Sequence, residues 1–132
     1  DEVLDTEKEM LQVLDWRLSP PTVHQFAFRY SQMHPLGRRS ANLNDCLYVI
    51  TRYQVEQSIF FPQLMMNYQP SVLAFAAMLR AEEEVNPRIL TAKMRWKFFS
   101  LQTILGMDLH HVNEAREALE NLIPQVPVVL FD

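Results

Sequence analysis

The residues best suited to bind a metal ion are two adjacent histidines, His110 and His111, with Glu114 four positions after the first. Adjacent side chains on a helix point about 100° apart, so the two imidazoles cannot easily hold one ion. No further cysteine or carboxylate completes a ligand set at helical spacing. The pair is therefore interpreted as surface residues in the first turn of a helix, and no metal or cofactor is expected.

Other groups with reactive side chains are equally isolated. Cys46, the only cysteine, lies on an apolar stripe, which indicates a small hydrophobic residue rather than a nucleophile. It cannot form a disulfide within the chain, which favours a reducing compartment. His24 and His34 flank a short helical segment without evident partners, and two glycines are too few for a phosphate-binding loop. The chain is therefore not expected to be an enzyme or to bind a small-molecule substrate.

Charged residues occur in short runs. The net charge is −4 and the largest basic pair is Arg38-Arg39, so no cationic stripe indicates nucleic-acid binding. Glu82-Glu83-Glu84 ends a predicted helix, where acids oppose the helix dipole. Either that helix frays early or a basic partner lies beside it, and fraying is favoured. The basic stretch from Arg88 to Lys97 is interpreted as a solvated face, with partner binding as the alternative.

The ends of the chain suggest a piece of a longer protein. It begins at Asp1 without a methionine, and its apolar runs are too short for a membrane span. Residues Val126 to Phe131 form an apolar tail that must lie on the body, pair with a partner or aggregate. Self-association of the chain is therefore a further expectation.

Helical spacing dominates the sequence, and strict two-residue alternation is hard to find. The predicted helices lie at about 6–16, 22–34, 42–60, 70–84, 87–105 and 109–123, with an irregular stretch between 62 and 70. The mostly apolar stripes predicted for the second, third and fifth of these helices are Val23, Phe26, Ala27, Tyr30 and Met33; Leu43, Cys46, Leu47, Ile50, Tyr53 and Gln57; and Ile89, Leu90, Trp96, Phe99 and Ile104. Thr22 with Gln25 predicts a capping box, Gly106 a left-handed cap, and Asp108 the cap of the last helix. The helix after Pro70 is apolar nearly all round and rich in alanine, which predicts a buried central helix with Ala77 in the core.

Three motifs resemble the cyclin family. Residues 9–26, EMLQVLDWRLSPPTVHQF, look like the junction between the two cyclin boxes, where a Leu-rich helix precedes a short linker and Pro-Thr. Residues 68–77, YQPSVLAFAA, resemble the start of the central helix of the second box. Residues 104–109, ILGMDL, resemble the turn before its last helix. The predicted count of five helices after the linker agrees with a cyclin box.

The resemblance implies an all-α fold and a division into parts. Residues 1–18 would be the last helix of the N-terminal box, 19–22 the linker and 23–132 the C-terminal box. It also implies a regulatory subunit that binds and activates a cyclin-dependent protein kinase in cell-cycle or transcription control, in the nucleus, the cytoplasm or both. Glu7 falls where cyclins place an acid that supports kinase binding. Leu11, Trp16 and Leu18 fall where cyclins line a pocket for the kinase helix.

Each of these four residues also has a structural interpretation, because stripe leucines, a large tryptophan and a first-turn acid suit any amphipathic helix. The substrate-docking patch of the first box, and the lysine that accompanies the acid, are absent from the sequence. The alternative function is a cyclin-fold transcriptional adaptor or scaffold that binds another protein. A small helical enzyme or metal carrier is the least favoured alternative.

Overall fold

The computed structural model describes residues 22–123, and all regular structure in that range is helical. The described helices are α1 (Val23–Met33), α2 (Leu36–Arg39), α3 (Ala41–Ser58), α4 (Pro62–Asn67), α5 (Pro70–Glu83), α6 (Ala92–Phe99), α7 (Leu101–Ile104) and α8 (Leu109–Leu122). Five of them have eight or more residues, and the rest are short connecting turns of helix. The all-α prediction is confirmed. The helix predicted over residues 6–16 lies outside the described residues.

Helix α5 is the centre of the fold. Every residue from Val72 to Glu82 is buried, so this helix has no solvent-facing stripe along most of its length. It packs against α1, α3 and α8. Its alanines lack bulky side chains, which lets the neighbouring helices approach closely. Ala77, which is 1 % exposed, confirms the predicted position in the core.

The predicted helix caps are confirmed by hydrogen bonds. The Thr22 hydroxyl accepts from Gln25 N at 3.2 Å, and Gln25 Oε1 accepts from Thr22 N at 2.9 Å, which completes a capping box. Asp108 Oδ1 accepts from His110 N at 2.9 Å at the start of α8. Gly106 follows α7 with φ of 72°, a left-handed conformation that glycine adopts without a Cβ clash.

Two connecting regions differ from the prediction. The stretch after Phe60, interpreted as irregular, contains α4, which has Pro62 at its first turn and buries Leu64. The single helix predicted from 87 to 105 is broken into α6 and α7. Asn86 Oδ1 accepts from Arg88 N, which forms a turn, and the helix begins only where Thr91 caps Met94 N.

The apolar face of this region also differs from the prediction. Trp96 and Ile104, expected on the packed stripe, are 69 % and 78 % exposed. Phe98 is fully buried instead and stacks on Phe75 of α5, with the ring centroids 4.8 Å apart. The prediction assumed one long helix over residues 87–105. Because α6 is instead a short helix that follows a turn, its orientation is set by the contact between Phe98 and Phe75.

Overpacking should test the close approach of helices at α5. Ala77→Leu adds side-chain volume where no space is available, and we expect it to lower the free energy of unfolding by about 1–3 kcal/mol. Ala41→Leu, at the exposed start of α3, is the matched control and should change stability little. Urea unfolding followed by circular dichroism gives both values. Equal stability of the two variants would contradict the packing of α5 described above.

Candidate partner-binding surface

The four residues predicted to contact a kinase, Glu7, Leu11, Trp16 and Leu18, lie outside the described residues. Their role stays a prediction. The described surface nearest to them along the chain is the start of α1. An apolar cleft opens there, and it is the first candidate for a contact with another polypeptide.

The cleft has a volume of about 720 Å³. Aromatic and apolar side chains make up most of its lining. Its residues are His24, Gln25, Phe26, Phe28, Arg29, Tyr30, Met33, Tyr48 and Leu105. Clefts of this size with apolar walls and a few polar groups are typical of binding sites.

Helices α1 and α3 position the aromatic wall of the cleft. His24 Nε2 lies 3.3 Å from the Tyr48 hydroxyl. The Phe28 ring meets the Tyr48 ring edge to face, with centroids 5.9 Å apart. Tyr30 lies deeper and donates its hydroxyl hydrogen to Ser71 O at 3.1 Å. Burial raises the pKa of the Tyr30 hydroxyl well above its usual value, so Tyr30 acts here as a neutral donor.

Sequence reasoning did not find this cleft. Phe28 and Tyr48 lie off the apolar stripes predicted for their helices, and Phe28 is 49 % exposed. Met33, which belongs to the predicted stripe of α1, is 46 % exposed and lines the cleft rather than the core. One feature of the sequence could have indicated the cleft: a large aromatic residue lies on the helix face that was expected to be polar. A second apolar face on a helix indicates a contact besides the one with the core.

A buried polar pair lies at the other end of α1. His34 and Glu82 are 2 % and 3 % exposed, and His34 Nε2 lies 2.7 Å from Glu82 Oε1. Leu36 N donates to His34 Nδ1 at 3.1 Å, so Nε2 must carry the ring proton and donate to Glu82. The His34 ring also packs on Phe98, with centroids 4.7 Å apart. His34 therefore has partners in three elements, although the sequence indicated none.

The structure corrects the interpretation of the acidic run as a solvated, fraying helix end. Helix α5 continues to Glu83, and Glu82 is buried. Glu83 forms an ion pair with Arg116 of α8. The Arg95 guanidinium donates to the carbonyls of Glu82 at 2.7 Å and Val85 at 2.8 Å. The basic partners, disfavoured at first, are supplied by the fold itself and offset the unfavourable dipole.

Burial has a measurable electrostatic consequence at Glu82. It raises the pKa of the Glu82 carboxyl above its usual 4.5, because the ionised form loses its hydration. The hydrogen bond from His34 opposes this shift, and so do the positive charges of Arg95 and Arg116. The carboxyl is therefore interpreted as a structural group, because its hydrogen-bond partner His34 belongs to the fold itself.

Arg80 is a second buried charge on α5. Its Nη1 donates to Gln54 Oε1 at 2.6 Å, Leu119 O at 2.9 Å and Ile123 O at 3.1 Å. Burial lowers the pKa of the guanidinium. Arg80 thus joins α3, α5 and the end of α8. It supplies hydrogen-bond donors at the C-terminal end of α8, where the last carbonyls of a helix lack a following turn of N–H groups.

The structure confirms the surface position of His110 and His111, which are both exposed. His110 Nε2 lies 2.8 Å from Glu114 Oε1, one turn along α8. Within residues 22–123, no three histidine, cysteine, aspartate or glutamate side chains lie together as a metal-binding group. Cys46 is half-buried against the core, in agreement with its interpretation as a small hydrophobic residue.

The described residues form an all-α domain with an apolar cleft, and comparison with known proteins identifies the family. The sequence model described as "Cyclin, C-terminal domain" matches residues 21–128. The chain is 28 % identical to Cyclin-A2 of Xenopus laevis over 104 residues, and this matched segment is 78 % of the chain. It spans 23 % of the length of that relative. No solved structure gives a significant match.

The chain therefore belongs to the cyclin family, and the matched part is the C-terminal cyclin box. This confirms the family resemblance, and the matched residues include the central-helix and turn motifs. Proteins of this family are regulatory. Among the described helices, none is long and apolar enough to cross a membrane.

The buried carboxyl of Glu82 gives a testable pH dependence. Because the pKa of Glu82 is raised in the folded state, this carboxyl binds a proton more readily in folded than in unfolded protein. Its contribution to the free energy of unfolding therefore falls as pH rises above about 4.5. Glu82→Gln keeps an oxygen that can accept from His34 but cannot ionise. We therefore expect the stability of the variant relative to wild type to increase as pH rises through this window.

Urea unfolding at a series of pH values measures this difference. Glu117→Gln, which removes an exposed acid of α8, is the control for the loss of one charge. A relative stability of Glu82→Gln that stays constant, or falls as pH rises, would contradict the buried, desolvated state of the carboxyl.

Proposed function

We propose that this chain is part of a regulatory subunit that binds and activates a cyclin-dependent protein kinase, in cell-cycle or transcription control. Membership of the cyclin family is the observation that carries the proposal. In this proposal residues 1–18 are the last helix of the N-terminal box and 19–22 the linker to the C-terminal box. The protein has no catalytic role of its own and acts in the nucleus, the cytoplasm or both.

The proposed kinase contact is the segment before the linker. The sequence spacing of Leu11 and Leu18 predicts that they share one helix face. Trp16 falls between them in the sequence, and Glu7 precedes Leu11 by four positions. An apolar stripe next to one acid suits an amphipathic kinase helix that carries a basic residue. The C-terminal box would hold this segment in place, because the cleft at His24 and Phe28 begins directly after the linker.

Activation in this proposal is a shift of population. A cyclin favours the kinase conformation in which the glutamate of a mobile helix points into the ATP site. Moving an equilibrium from mostly inactive to mostly active takes about 5.5 kcal/mol of differential binding. A single helix cannot supply a fixed surface of that quality. We therefore expect the 132-residue chain to bind weakly and to leave the kinase inactive.

The contact residues are tested in a chain extended by whatever residues are encoded upstream of Asp1. Leu11→Ala removes apolar surface and should weaken kinase binding about tenfold or more. Glu7→Ala removes a charge near the surface and should weaken it only a few-fold, as expected for about 1 kcal/mol or less. Binding is measured by calorimetric titration, and activation by phosphate transfer to a peptide substrate.

Leu109→Ala is the matched control, since Leu109 is 44 % exposed on α8 and distant in sequence from the proposed contact. It should leave kinase affinity unchanged. Loss of binding by Leu109→Ala and not by Leu11→Ala would move the contact to the C-terminal box. Absence of binding to any cyclin-dependent kinase by the extended chain would favour the adaptor or scaffold function instead.

A further inference from the structure

The exposed face of α6 has a composition that kinase binding does not explain. Lys93, Trp96 and Lys97 are neighbours at helical spacing on one face of this helix. Both lysines are exposed, and Trp96 is 69 % exposed. Within the described part of the chain neither lysine forms an ion pair. An exposed tryptophan beside two exposed cations has the residue types that contact an apolar anchor flanked by acids.

Positive charge is concentrated around this face, although the whole chain carries a net charge of −4. Residues 85–107 include no acid, and neither do residues 23–44. The fold brings these two acid-free stretches together, because Arg39 Nη1 donates to Ile89 O at 3.0 Å. The exposed cations of the two stretches are Arg29, Arg38, Arg39, Arg88, Lys93 and Lys97.

A groove of about 330 Å³ runs beside Trp96. Leu79, Ala92 and Phe99 contribute apolar surface to it, and the Trp96 and Phe99 rings lie 6.3 Å apart. The acids that border the groove already have partners within the fold. Glu82 is bonded to His34, and Glu83 is paired with Arg116. The groove therefore offers an apolar site next to the exposed lysines of α6.

We propose that the groove beside Trp96, together with the basic face of α6, is a docking site for an acidic polypeptide segment that carries an apolar or aromatic anchor residue. The anchor packs against the Trp96 and Phe99 side chains, and flanking aspartates or glutamates meet Lys93, Lys97 and Arg88. Tryptophan is enriched among residues that dominate binding energy. Complementary charge at the rim of the groove directs the approach of the partner and its orientation.

A polypeptide fits this surface better than a nucleic acid does. Strong binding to a phosphate backbone needs a long series of cations, and this face has only a few. The groove beside this face is apolar and can enclose one side chain. A nucleic acid that contacted the lysines through its phosphates would leave the groove empty. The site lies on α6, whereas the proposed kinase contact lies before the linker, so either one can fail without the other.

The test is a fluorescence anisotropy titration with a labelled synthetic peptide in which glutamates flank one phenylalanine. We expect saturable binding that weakens as salt is raised. A peptide with glutamine at every glutamate position should bind at least about tenfold more weakly. Trp96→Ala should also weaken binding about tenfold or more. The combined change Lys93→Glu and Lys97→Glu should abolish salt-dependent binding.

Phe60→Ala and Arg52→Glu are matched controls, since Phe60 is 73 % exposed and Arg52 is an exposed cation on α3. Both should bind within about twofold of wild type. Melting temperatures establish that each variant is folded. If Trp96→Ala is destabilised, the proposal is judged from the variant with both lysines changed to glutamate. The proposal is overturned if the glutamate peptide does not bind saturably or if the glutamine peptide binds with equal affinity. It is also overturned if the control variants lose as much affinity as Trp96→Ala and the lysine variant, or if duplex DNA or single-stranded RNA binds more tightly than the peptide.

Discussion

The structure depends on the burial of α5 around its whole circumference. The polar groups of a helix enclosed by its neighbours cannot form hydrogen bonds with solvent. A buried polar group without a partner lowers the stability of the folded state. Arg80 and Glu82 lie within the enclosed stretch. Each therefore needs partners from the surrounding helices, and those partners determine where the other elements lie. Gln54 and the end of α8 meet Arg80, while the end of α1 meets Glu82 through His34.

The buried polar contacts also explain how the short α6 is placed. Phe98 stacks on Phe75, and Arg95 binds the carbonyls at the end of α5. Both residues point toward the core, which leaves Lys93, Trp96 and Lys97 on the outside. One helix thus closes the end of the central helix with one face and presents a basic, aromatic face to solvent with the other.

The cleft at α1 and the groove at α6 are two separate apolar surfaces. The cleft begins directly after the linker and is aromatic, with His24, Phe28 and Tyr48 in contact. The groove lies beside exposed cations and the Glu83–Arg116 pair. A regulatory domain with two such surfaces can hold one partner while a second polypeptide docks elsewhere, since the two sites share no lining residue.

The sequence by itself determined the helical class, the capping residues Thr22 and Asp108, the left-handed Gly106 and the burial of α5. These depend on neighbours within a few positions, or on a helix that is apolar on every side. The family resemblance was also present in local motifs. Only the tertiary structure decided that His34 meets Glu82, 48 positions away, and that Phe98 rather than Trp96 enters the core. Periodicity tells which residues share a face, but it does not tell which face another helix will cover.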